Sequence, residues 1–138
     1  MPDGELNIYP VPADRIDAVW PKIKEFVQEA SAHDPDNTSE DRILASLLTN
    51  ESFLHVAFRD GEAMGFTVSF YNPDHLFIWA HGGRDTFAHM EQFMEELKDN
   101  GIQKVRFGSP RKGFERYAEK IGFTKSTVIY ERVLDVEP

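Results

Sequence analysis

Gly113-Phe114-Glu115-Arg116-Tyr117-Ala118-Glu119-Lys120-Ile121-Gly122-Phe123 is the stretch that decides the fold, and Tyr130-Glu131-Arg132-Val133-Leu134 follows seven residues on. The first part predicts a short amphipathic helix over 112–121, stopped at Gly122 because glycine alone turns left-handed without cost. Phe123 then opens an apolar strand, or bent pair of strands, over 123–134.

Working outward, each upstream segment takes a definite type. Leu6–Val11 alternates as a first strand. Residues 13–31 set Ile16, Val19, Trp20, Ile23, Phe26, Val27 and Ala30 on one helical face. Pro21 predicts a kink there, since its ring removes one hydrogen bond. After a loop at His33–Asn37, Thr38 or Ser39 caps a second helix whose stripe is Ile43, Leu44, Leu47 and Leu48. Phe53–Phe58 and Met64–Phe70 form a hairpin about Asp60-Gly61. Leu76–Ala80 is apolar throughout, as suits a central strand covered on both faces. A helix over about 85–100 turns Phe87, Met90, Phe93, Met94 and Leu97 inward and stops at Gly101. Gln103–Phe107 is the next strand.

Strand, two helices, three strands, helix, strand, helix, strand is an order that resembles the GNAT N-acetyltransferase domain. The Gly113–Phe123 segment resembles that domain's Asn-x-x-Ala-x-x-Phe-Tyr-x-Lys-x-Gly-Phe helix, which packs beside coenzyme A. The resemblance implies one α/β (α+β) domain over residues 1–138, with a mixed sheet of about six to seven strands and about four helices. It also implies acetyl-CoA as acyl donor and an amine as acceptor.

Composition narrows the alternatives. The 138 residues include 17 aromatics and no cysteine, which suits one well-filled core and removes disulfides, thiol nucleophiles and cysteine-based zinc sites. The net charge of −9 is uneven: residues 1–101 hold 7 Lys/Arg against 19 Asp/Glu, residues 102–138 hold 8 against 5. An acidic body argues against nucleic acid as a partner, whereas the basic end suits a small polyanion such as coenzyme A. No apolar run approaches the roughly 20 residues that span a bilayer, and the N-terminus lacks signal-peptide character. The expectation is a soluble, cytoplasmic chain. Histidines at 33, 55, 75, 81 and 89 show no metal-ligand spacing, so no metal is expected.

In the family the pyrophosphate sits before the helix that follows the central strand, on a Gln/Arg-x-x-Gly-x-Gly/Ala pattern. Counting back from Gly101 aligns this with His81-Gly82-Gly83-Arg84-Asp85-Thr86, which departs at His81, Arg84 and Thr86. Two readings follow. Either Gly82-Gly83 gives close backbone approach and Arg84 pairs with a phosphate, or the glycines make a tight turn, Arg84 is solvated and Asp85 caps the helix.

For the chemistry, strict alternation places His75, Phe77, Trp79 and His81 on one strand face. His81, beside the cofactor loop, is the candidate base. The family's usual tyrosine proton donor falls on Ala118, with Tyr117 about 100° around the helix; Tyr71 and Tyr130 are the remaining donors. Val105–Arg116 further resembles small phage-encoded GNAT-like proteins, through Gly108, Gly113 and Arg116. That resemblance supplies the rival expectation: a non-catalytic phage assembly or virion component that binds a protein partner instead of a small-molecule acyl donor.

Overall fold

A computed structural model of the chain describes residues 5–33, 38–107, 114–120 and 122–123. Gly108–Gly113, Tyr130 and the closing strand from residue 124 onward lie outside the described residues.

Five described strands form one sheet in the order β1-β2-β3-β4-β5: Asn7–Val11, Phe53–Arg59, Glu62–Tyr71, Leu76–Gly83 and Val105–Phe107. The first four pair antiparallel, whereas β4 and β5 run parallel. That mixed sheet agrees with the α/β (α+β) reading. The expected six to seven strands correspond to five among the described residues.

A 3-10 turn at Ala13–Arg15 leads into α1, Ile16–His33, which runs unbroken through Pro21. The proline lies in the second turn and removes one ladder bond near the helix start. Ser39 caps α2, Glu40–Leu48, its hydroxyl oxygen accepting from the Arg42 N–H at 3.4 Å. Thr86–Asp99 is α3 and Phe114–Lys120 is α4.

Two apolar layers sandwich the sheet. On one face Ile16, Ile23 and Val27 of α1 and Ile43 and Leu47 of α2 pack on Leu54, Val56, Phe66 and Val68. On the other, Met90, Phe93 and Leu97 of α3 pack on Ile8, Ala57, Leu76 and Ile78. Each such fully buried side chain adds roughly 1.5–3 kcal/mol of hydrophobic stabilisation, before conformational entropy is subtracted.

The expected stripes need two corrections. Leu48 is 44% exposed, and Ser46 is buried in its stead, donating to the Ser52 hydroxyl at 2.8 Å. In α3, His89 is fully buried among the apolar residues, because its ring meets polar partners on the sheet.

Candidate functional site

The C-terminal end of β4 organises the site. Gly82 and Gly83 are the last two residues of β4, paired with Phe66 and Gly65 of β3. Only Arg84 and Asp85 then separate the strand from α3. Packing alone accounts for both glycines. A Cβ on Gly83 would run into the Met64 carbonyl and the Gly65 backbone, and its φ of +127° excludes other residues. A Cβ on Gly82 would lie 3.1 Å from the Phe66 ring and 3.4 Å from the Phe26 carbonyl of α1.

Arg84 is fixed by its backbone, whose N–H donates to the Met64 carbonyl at 2.7 Å. Its exposed guanidinium pairs with Glu62 at 3.3 Å. Asp85 occupies the left-handed region (φ 53°, ψ 47°), and its carbonyl accepts the His89 N–H at 3.1 Å. Its carboxylate makes no capping bond and pairs with Arg59 at 3.2 Å. The expected Asp85 side-chain cap is therefore absent, since the left-handed backbone and Arg59 draw the carboxylate away. A third cation approaches from α4: Lys120 Nζ lies 5.0 Å from the centroid of Phe87, in the first turn of α3. Arg59 and Lys120 had no motif to mark them in the sequence; a hairpin and a helix end bring them here.

His81 lies on a different face from the one that alternation predicts. Val68 pairs with Ala80 but Ser69 pairs with Ile78, so Trp79 is an extra residue in β4. Below this bulge Phe77 and Trp79 group with Phe70. Above it His81 turns to the α3 face, where its ring meets His89 edge-on with centroids 5.0 Å apart. One inserted residue inverts the parity of every later side chain.

The His81 ring sits in a buried polar cluster. Thr67 Oγ1 lies 3.3 Å from His81 Nδ1 and 3.1 Å from His89 Nε2. His55 packs against Phe93 nearby, at 5.0 Å between centroids. Among the described residues, His55 Nδ1, Ser69 Oγ, His81 Nε2 and His89 Nδ1 are buried without hydrogen-bond partners. Burial pushes His81 down to about 4, opposed by a backbone contact with Phe66. Burial, then repulsion from His81 and His55, pushes His89 down to about 3. Burial also lowers His55. All three are neutral at pH 7, which keeps their nitrogens available as acceptors but makes them weak bases.

The other candidates are not gathered here. Tyr71 pairs with Leu76 at the opposite end of β4 from Gly83 and packs edge-on with Phe53. His75 is bonded to Asp74 at 2.7 Å at that same end. An open groove of about 730 Å³ also lies there, between Pro10–Asp14 and Asn50–His55, away from the β4–α3 junction. Ala118 does occupy α4, where its carbonyl accepts the Phe123 N–H at 2.9 Å and closes the Gly122 turn. No group of three or more His, Asp or Glu side chains among the described residues is arranged to hold a metal. No described helix is long and apolar enough to cross a membrane.

No family model and no curated protein matches the sequence. Solved structures do match. A ribosomal-protein-alanine N-acetyltransferase from Brucella melitensis biovar Abortus 2308 superposes with a TM-score of 0.68 at 12% identity, over 95% of this chain and 100% of that one. An IAA acetyltransferase from Bacillus cereus ATCC 14579 gives 0.64 at 18% identity, over 89% and 79%. The aminoglycoside N-acetyltransferase AAC(6')-Iy in complex with CoA gives 0.61 at 15%, over 96% and 97%. At such identities the likeness concerns architecture, and this chain has the GNAT N-acetyltransferase fold.

Proposed function

We propose that this chain binds acetyl-CoA at the β4–α3 junction and transfers the acetyl group to an amine. One observation carries the reading: β4 is where the sheet changes from antiparallel to parallel, and α3 starts two residues past its end. Ligands of open α/β sheets collect in the crevice outside the carboxyl ends of parallel strands, and β4 and β5 are the parallel pair here. Backbone N–H groups in a helix's first turn have no intrahelical partners and favour anions. The residues fit a pyrophosphate. Arg84 and the start of α3 at Thr86 would hold it, and Arg59 and Lys120 would add positive charge. Asp85 opposes it unless Arg59 keeps its carboxylate engaged.

The bound donor supplies an activated thioester. This chain's own part is to orient the amine and take its proton. His81 Nε2, buried without a hydrogen-bond partner, is the proposed acceptor. Ala118 gives α4 no phenol at the family's usual position, so Tyr130 remains the proposed donor to the leaving thiolate.

The rival reading, a non-catalytic protein that binds a protein partner, is favoured by the Asp85 carboxylate at the helix start and by the packing role of both glycines. Titration separates the two. At 100 times its dissociation constant, coenzyme A should stabilise the fold by about 2.7 kcal/mol. No thermal shift and no calorimetric heat at millimolar acetyl-CoA would overturn the acetyltransferase reading.

A further inference from the structure

The groove at the far end of the sheet from Gly83 has a volume of about 730 Å³, inside the roughly 300–1,000 Å³ of small-molecule sites. Its buried lining is Ile16, Leu47 and Leu54, all from the α1–α2 face of the core. Its exposed lining is aromatic. Phe53 and Tyr71 are 39% and 54% exposed, and their rings meet edge-on with centroids 5.2 Å apart. The other exposed large apolar side chains among the described residues are Tyr9 and Leu48, so half of them gather at this one cavity. Pro10 and Pro12 add apolar surface on the β1 side, without a backbone N–H to satisfy.

Charge at this apolar site has one sign. Asp14 is the one charged side chain among the lining residues, and it makes no ion pair among the described residues. Glu51, exposed, stands in the chain between the lining residues Asn50 and Ser52. Arg15 follows Asp14 in the 3-10 turn but does not line the groove. His55 does line it, and burial holds its ring below the ordinary value and so uncharged at pH 7. The faces of Phe and Tyr rings attract a cation, and a carboxylate beside them adds direct Coulomb attraction. An anion meets neither.

We infer that this groove binds a small organic cation, a protonated amine on an aromatic or alicyclic body. The body lies against Pro10, Pro12, Phe53 and Tyr71, and the ammonium meets Asp14. The site is distinct from the proposed acetyl-CoA seat, because the eight residues of β4 put roughly 20 Å between Leu76 and Gly83. It does not rest on the acetyltransferase reading.

The test is amide 1H–15N correlation spectroscopy on the labelled full chain at pH 7.5, titrated with phenethylammonium and with its anionic counterpart, 3-phenylpropionate. Phenethylammonium should shift the amides of Asp14, Phe53 and Tyr71 saturably, and 3-phenylpropionate should bind at least about tenfold more weakly. Asp14→Asn, a change at an exposed position, should weaken the cation by about fivefold or more. Tyr71→Ser, also at an exposed position, should weaken it as well. Absent shifts at millimolar phenethylammonium, equal affinity for the two probes, or unchanged affinity in Asp14→Asn would each overturn the inference. Shifts of the same amides on raising the protein concentration alone would also overturn it, by marking a second copy of this chain as the occupant. None of these outcomes depends on acetyl-CoA, so failure of the groove and failure of the proposed function are separate results.

Discussion

The carboxylate of Asp85 turns away from the helix it precedes and pairs with Arg59 across the β2–β3 hairpin end, 3.2 Å between Oδ2 and Nη2. An acid at a helix start usually answers the partial positive charge there, worth about 0.3–1 kcal/mol. Here it competes for the same charge with any phosphate bound at the junction. Asp85→Asn should therefore tighten coenzyme A binding by about two- to fivefold, and Arg84→Ala should weaken it by at least as much. Calorimetric titration checks both; identical dissociation constants in all three proteins would remove these residues from the cofactor seat.

Gly83 and Gly61 both have positive φ but differ in their surroundings. Gly83 lies against the Met64 carbonyl and Gly65, whereas a Cβ on Gly61 meets nothing within 4 Å. Gly83→Ala should cost about 2–4 kcal/mol through strain plus collision. Gly61→Ala should cost about 1 kcal/mol through strain alone. Urea denaturation of the pair measures the difference, and equal losses would refute the close-approach account of Gly83.

Acid should loosen the α3 face. The folded values of His81 and His89, about 4 and about 3, lie below the unfolded value of 6.5. Below pH 6.5 the unfolded chain takes up protons that the folded chain refuses. The histidines' stability contribution is thus complete above pH 6.5 and is lost as pH falls toward 4. Each adds a slope of up to about 1.4 kcal/mol per pH unit, so roughly 2–5 kcal/mol should vanish between pH 6.5 and 4.5. Chemical denaturation across that range measures it, and His89→Gln should flatten the slope by close to one proton.

Ser46 and Ser52 are both buried and bonded to each other. Ser46→Ala strands the Ser52 hydroxyl and should cost about 1–3 kcal/mol. Replacing both with alanine should cost less than the sum of the single changes. An additive double mutant would show that the pair is not coupled.

By itself the sequence determined the order of elements. Period-3.6 stripes fixed α1 and α3, Asp60-Gly61 fixed the β2–β3 hairpin, Ser39 fixed the start of α2, and Gly101 and Gly122 marked two helix ends. Those signals are local: each is a side chain acting on its own few residues of backbone. Only the tertiary structure decided the site. The bulge at Trp79 arises from how β4 pairs with β3, and it carries His81 to the opposite face from the one that alternation assigns. His89 lies outside the inward stripe of Phe87, Met90, Phe93, Met94 and Leu97 that the sequence offers, because its partners Thr67 and His81 come from strands distant in the chain. Gly82-Gly83 looked like a loop because a glycine pair looks the same whether it faces a phosphate or a neighbouring strand. The difference lies in Gly65, Met64 and Phe26, which reach it only when the sheet and α1 are assembled.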